Sequence, residues 1–190
     1  MTTEQRSKYL SLLLRHKPET ANLTLDKEGW CDITQLITNT DFTVEELEKI
    51  TETDAKGRYS IRYWEMAHCG SDLEVIREPT HIRANQGHST KSVKMHFKVA
   101  VPPVVLYHGA DDRFMGIIMK EGLTPQKRHH VHLSADVETA QMVGGRRRSG
   151  HTVLAIDAKQ MLAVGHKFFI SENGVWLVDH VPPKYLKEHA

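Results

Sequence analysis

Two kinds of apolar spacing alternate along the chain, and each change of spacing marks an element. Tyr9, Leu12, Leu13 and His16, with Leu10 and Leu14, recur at three- and four-residue steps, which predicts a helix over Glu4 to His16. Pro18 disfavours helical geometry at Lys17, so the helix ends near there and Arg15-His16 falls in its last turn. Asp26-Lys27-Glu28-Gly29 reads as a turn before a short apolar stretch, Trp30 to Ile33. Ile33, Leu36 and Ile37 predict a second helix. Thr43 with Glu46 fits a capping box opening a third, whose apolar stripe is Val44, Leu47 and Ile50. After the Lys56-Gly57-Arg58 turn the period drops to two at Tyr59, Ile61 and Tyr63, the mark of a strand. Trp64 to Thr80 is the least periodic part of the chain.

Alternation returns at Val93, Met95, Phe97 and Val99, which predicts a strand. Pro102-Pro103 then breaks the chain and places a boundary near Ala100, giving domains 1–100 and 101–190. Beyond it the expected elements are short. They are a strand over Val104 to Tyr107 ending at His108-Gly109, a helix through Phe114, Ile117 and Ile118 closed by Gly122, and a strand over His130 to Ser134. A helix over Glu138 to Val143, a strand over Thr152 to Ile156 and a short helix at Met161-Leu162 follow. The last are two strands, Phe168 to Ile170 and Val175 to Val178, joined through Asn173-Gly174. The fold class is therefore α+β. Three helices and a strand pair suggest a winged-helix-like N-terminal lobe by analogy of fold. The C-terminal lobe is expected to be a compact set of short strands.

At 39% hydrophobic and 26% charged, the 190 residues have the composition of a soluble globular protein. No apolar run approaches the roughly 20 residues that span a bilayer, and Met1 to Lys8 has no stretch suited to secretion, so a cytoplasmic or nucleoplasmic protein is expected. Cys31 and Cys69 are too few for a disulfide framework and are expected to be reduced thiols. The net charge of +1 argues against long nonspecific tracking on nucleic acid but not against a local basic cleft. Lys127-Arg128-His129-His130 and Arg146-Arg147-Arg148 are local basic clusters.

Candidate chemistry concentrates in Ile82-Arg83-Ala84-Asn85-Gln86-Gly87-His88-Ser89. Only Ile82 and Ala84 are apolar, so the octet does not read as a core strand. Its density of donors suits an anion with many acceptor oxygens, and a phosphate is the obvious one. A solvated polar loop between two lobes is an equal alternative for the octet alone. For Arg15-His16 the plain alternative is a basic helix end favoured by the helix dipole. For His108 and His132 it is a pair of satisfied core histidines. His129, His130 and His132 invite a metal reading, but neighbouring strand residues point to opposite faces, so no metal site is expected. No Gly-rich nucleotide loop is present.

These pieces acquire meaning together. The sequence resembles the RNA 2′-phosphotransferases through Leu13-Leu14-Arg15-His16-Lys17-Pro18, Glu28-Gly29-Trp30, Ile82 to Ser89, Leu106 to Gly109, His129 to Ser134, Val143 to Arg146 and Asn173-Gly174-Val175-Trp176-Leu177. The resemblance implies an ADP-ribosyltransferase-like fold for the C-terminal lobe, NAD as a consumed co-substrate, and an RNA carrying an internal 2′-phosphate, tRNA-like, as partner. It implies a catalytic cationic set of Arg15, His16, Arg83 and Arg146, with Arg147 as the alternative to Arg146 because three consecutive arginines follow Gly145. It assigns NAD binding to His88, His108, Gly109, His132, Ser134 and Val175, with Gly109 allowing close backbone approach. Val175 stands where protein-directed ADP-ribosyltransferases usually carry a glutamate. An acceptor that is already an anion does not need that base. Ala110 departs from the family's usual threonine, and Trp64 to Thr80 exceeds the family's usual link, so it reads as a local insertion, an extended hairpin. Two rivals are an ADP-ribosyltransferase that stops after the first step and a noncatalytic RNA-binding module.

Overall fold

The computed structural model describes residues 2–68, 74–145 and 150–189. Helix α1 (Thr3–Arg15) begins with a full capping box, in which the Thr2 side chain accepts from the Gln5 backbone and Gln5 returns the bond. Its buried face is Leu10, Leu13 and Leu14, each fully inaccessible. A one-turn 3₁₀ segment, Pro18–Ala21, follows directly. Strand β1 (Trp30–Asp32) leads into α2 (Ile33–Asn39), which Asp32 caps by accepting from the Gln35 backbone. Helix α3 (Val44–Thr53) is capped by Thr43 as expected. Glu46 does not complete the box. Its carboxylate binds Arg6 at 2.5 and 2.6 Å, and Arg6 also bonds the Asp41 side chain at 2.6 Å and lies 3.9 Å over the Phe42 ring.

Strands β2 (Tyr59–His68) and β3 (Glu74–Ala84) pair antiparallel, so the aperiodic stretch is largely an extended hairpin; residues 69–73 lie outside the described residues. The strand order is β1–β3–β2, which makes β3 the central strand. This corrects the reading of the octet as something other than core strand for Ile82 to Ala84, while Asn85 to Ser89 lie beyond the strand. Ile82 and Ala84 are fully buried in β3 while Arg83 between them points to the other face. The same core surface holds Cys31, Tyr59 and Ile33, and burial pushes the Cys31 thiol up to about 12. Cys69 lies outside the described residues.

The chain divides into two compact units, Met1–His96 and Phe97–Ala190. The strand expected over Val93 to Val99 shrinks to β4 (Lys98–Val99). Val93 is buried within the first unit, after a turn from Thr90, and the Lys94 N–H is bound to Lys27 O at 2.7 Å. Its alternation is one of burial along a segment that joins a ladder only at Lys98–Val99. Residues 97–100 go with the second unit, where β4 pairs with β8 (Phe169–Ile170) and Ala100 N–H donates to Phe168 O.

The second unit contains β5 (Val105–Asp111), α4 (Met115–Glu121), β6 (Val131–Leu133), α5 (Val137–Gly144), β7 (His151–Asp157), α6 (Ala158–Ala163), β9 (Trp176–Val178) and β10 (Leu186–Glu188). Two antiparallel sheets result, ordered β10–β7–β5 and β4–β8–β9–β6. They enclose a core centred on Leu106, Leu154, Ile156, Met161 and Phe168. Strand β5 does not stop at His108-Gly109 but runs on to Asp111 along β7. Gly122, at φ +86°, closes α4. No described helix is long and apolar enough to cross a membrane.

Candidate active site

In the first unit the end of α1 and the segment after β3 are joined. Ser89 N–H donates to the carbonyl of Arg15 at 2.9 Å, satisfying one of the acceptors that a helix end leaves open. The Ser89 hydroxyl lies 3.0 Å from His16 Nδ1. Gly87, at φ +88°, runs beside the Arg15 side chain, and a Cβ there would sit 3.6 Å from Nη1. Asn85 fixes the start of this segment, its N–H on Arg58 O, its amide on Gly57 O and its Oδ1 accepting from Ser60. Arg15 is only 8% exposed, and a guanidinium stays charged even there, so the helix end carries a fixed cation.

Arg83 stands opposite Trp30 in the β1/β3 register, and its guanidinium carbon lies 4.4 Å from the indole centroid. Gly29, next to Trp30, covers the buried ring of His88. A Cβ on Gly29 would come within 2.8 Å of His88 Nε2. Arg15, His16, Arg83, His88 and Ser89 are thus linked by a chain of contacts within the first unit, through Gly87, Gly29 and Trp30.

The second unit joins its two sheets at a bridge between Tyr107 and Ser134, which exchange backbone hydrogen bonds of 2.9 and 2.8 Å. His108 follows Tyr107, and its Nδ1–H donates to His132 O at 2.9 Å. A carbonyl only accepts, so the His108 proton is fixed on Nδ1. Burial pushes this imidazole below its ordinary value, so it is neutral at pH 7 and its Nε2 is an acceptor. His132 Nδ1–H likewise donates to His130 O at 3.0 Å. His132 occupies the β6 face opposite the buried Val131 and Leu133. Val175 lies one step beyond the Leu133/Trp176 pair, in a turn where its N–H donates to Ser171 Oγ and Gly174 takes φ +76°.

Gly109 answers first to packing. A Cβ there would run into the carbonyl oxygen of Ala140 and come within 2.7 Å of Gly144 N, so its bareness admits helix α5. His130 is turned between the Phe97 and Phe169 rings, edge-on at 5.6 Å from each. Among the described residues, no group of three or more His, Cys, Asp or Glu side chains is placed to hold a metal ion. Arg146 and Arg147 lie outside the described residues. Sequence reasoning missed Trp30 as the support of Arg83. The one signal was the residue type, a tryptophan directly after the Gly29 turn whose ring face suits a guanidinium.

An α+β protein with a fixed cation at a helix end and a neutral, desolvated histidine at a sheet junction has the parts of a group-transfer enzyme. The comparisons agree with that class. A family model described as RNA 2′-phosphotransferase, Tpt1 / KptA family, matches residues 1–180. Probable RNA 2′-phosphotransferases of Fusobacterium nucleatum and Rhizobium johnstonii are each 42% identical, over 95% of both chains and over 97% and 93% respectively. That of Streptomyces coelicolor is 43% identical over 97% of this chain and 94% of its own. The chain belongs to the RNA 2′-phosphotransferase, Tpt1 / KptA, family.

Proposed function

We propose that the protein removes an internal 2′-phosphate from a tRNA-like RNA by passing it to the ADP-ribose of NAD. The observation that carries this reading is the closure of the Gly87–Ser89 segment onto the end of α1, which gathers Arg15 and His16 with the strand that bears Arg83. Arg15 and Arg83 take phosphate oxygens, each fork matching two of them. His16, oriented by Ser89, adds a donor to the same phosphate. Arg146 completes the set by its place in the family pattern, with Arg147 as the alternative.

The neutral Nε2 of His108 fits a ribose hydroxyl, which must donate. His132 and Ser134 line the remainder of the dinucleotide site in this reading, Val175 gives an apolar wall without a base, and His88 is assigned to NAD by the family pattern alone. When bound, NAD supplies a ribose carbon whose leaving group is nicotinamide. A 2′-phosphate oxygen bonds that carbon as the bond to the nicotinamide nitrogen breaks and takes its electron pair with it. The neighbouring ribose 2″-hydroxyl oxygen then bonds phosphorus, the bond to the RNA 2′-oxygen breaks, and the hydroxyl proton ends on that 2′-oxygen. The products are 2′-hydroxyl RNA, ADP-ribose 1″,2″-cyclic phosphate and nicotinamide. Orientation of the intramolecular nucleophile supplies much of the second rate.

The first unit acts as a winged-helix-like RNA lobe and the second as an ADP-ribosyltransferase-like lobe, in the cytoplasm or nucleoplasm. The test is incubation of the protein with a defined 2′-phosphorylated RNA with and without NAD. Nicotinamide release matched to 2′-hydroxyl RNA is expected. Release of inorganic phosphate without NAD sinks the reading, and a stop at ADP-ribosylated RNA turns it into the first rival.

A further inference from the structure

The sheet face that carries Arg83 holds a second cation without a role in the reaction above. Arg83 stands opposite both Trp30 and Ser60, so strand alternation puts Arg62, two residues beyond Ser60, on the same face. The guanidinium carbons of Arg62 and Arg83 each lie 4.4 Å from the Trp30 ring centroid, so they cannot be further apart than twice that distance. Arg62 is exposed. Arg6, Arg58, Arg77 and Arg113 each bond a carboxylate. Among the described residues Arg62 has no carboxylate within ion-pair distance, and the indole supports it instead. A ring face holds a guanidinium plane without neutralising it, which leaves the N–H fork for another anion.

An internal 2′-phosphate always has an anionic companion. The 2′ and 3′ oxygens sit on adjacent carbons of one ribose, so the 3′,5′-phosphodiester lies beside the 2′-phosphate in every conformation. We infer that Arg62 binds this phosphodiester while Arg83 holds the 2′-phosphate, and that Trp30 is the positioning residue that spaces the two guanidiniums. Arg62 thereby selects an internal 2′-phosphate over a terminal one. This assignment rests on the proposed role of Arg83.

The experiment compares kcat/KM on two RNAs, one with an internal 2′-phosphate and one ending at the 2′-phosphorylated nucleotide with a free 3′-hydroxyl. Arg62→Ala is expected to lower the value on the internal substrate roughly tenfold, the size of one accessible charge-assisted contact, and to leave the terminal substrate unchanged. Arg62→Lys should recover part of the difference. Trp30→Leu should lower both values and shrink the internal-to-terminal ratio, with Trp30→Phe restoring it. A purely structural role for Trp30 would leave that ratio unmoved. If Arg62→Ala changes both substrates equally, or neither, while Arg83→Ala disables both, the role of Arg62 is overturned and the proposed function stands. If Arg83→Ala retains full activity on both, the placement of the 2′-phosphate fails and the role of Arg62 falls with it.

Discussion

His108 donates its Nδ1 proton to the carbonyl oxygen of His132, and the two residues come from different sheets. The bond fixes the tautomer, and burial keeps the ring neutral. If Nε2 accepts from the NAD ribose, protonation there abolishes the contact. The KM for NAD should therefore stay flat from pH 8 down to about 6.5, the ordinary histidine value, and rise only below it. The stability consequence has the same sign. A folded pKa below the unfolded one means that the unfolded chain binds the proton first, so His108 contributes stability above about pH 6.5 that is lost as pH falls through the folded value. Initial rates against NAD concentration at each pH check this, with His108→Asn expected to remove the acid limb. An acid limb centred above 6.5 would rule His108 out as the titrating group.

Negative charge on phosphorus grows in the second step, so that step should depend on the arginines more than the first. Arg83→Ala is expected to slow it by about 10²–10³, the loss typical of one preorganised donor. ADP-ribosylated 2′-phospho-RNA should then build up and migrate more slowly in a gel time course. Arg146→Ala should do the same. Accumulation with Arg147→Ala and not with Arg146→Ala would place the catalytic arginine one residue later. Wild-type turnover by Arg83→Ala and Arg146→Ala would remove both from the mechanism.

RNA affinity should fall with salt, but gently. Each phosphate neutralised on a single strand contributes about 0.7 to the slope of log affinity against log salt, so a grip on two to four phosphates gives a slope of roughly 1.5–3. A titration at several ionic strengths measures it. A slope near 10 would indicate a long electrostatic track and favour a nucleic-acid-binding module.

Gly109 tests the packing behind the candidate NAD site. In Gly109→Ala the new methyl meets backbone atoms of Ala140 and Gly144, which cannot swing aside as a side chain does. The variant should lose on the order of 1–3 kcal/mol in denaturant unfolding and bind NAD more weakly as β5 and α5 separate. Unchanged unfolding would show that α5 shifts without cost.

The helices were legible because each carries local marks. Apolar residues at three- and four-residue steps, Thr43, Pro18 and Gly122 located them without any tertiary information. The strands were harder, since a strand is decided by its neighbours. β1 and β10 are three residues each and carry too little pattern to announce themselves. Val93–Val99 had the right pattern but little ladder to join. The octet Ile82 to Ser89 read as too polar for a core strand because its last five residues lie beyond β3 and one face of that sheet is not core. The basic pair on α1 and the Arg83 segment were each visible, but their meeting depends on a contact between Arg15 and Ser89, 74 positions on, which no local pattern encodes. Glu46 shows the converse, a local motif diverted by the distant Arg6.

That diversion gives α1 the character of a measuring rod. Arg6 pins one end to Glu46, Asp41 and Phe42, while Arg15 and His16 at the other end meet Gly87 and Ser89. Both ends are clamped, so the number of residues between them sets the azimuth of Arg15. Deleting one, such as Ser11, would turn the far end by about 100° and draw it in by about 1.5 Å. The Arg6 clasp would survive, and Arg15 would face away from Gly87. This stretch should therefore accept changes of side chain on its outer face far more readily than any change of length.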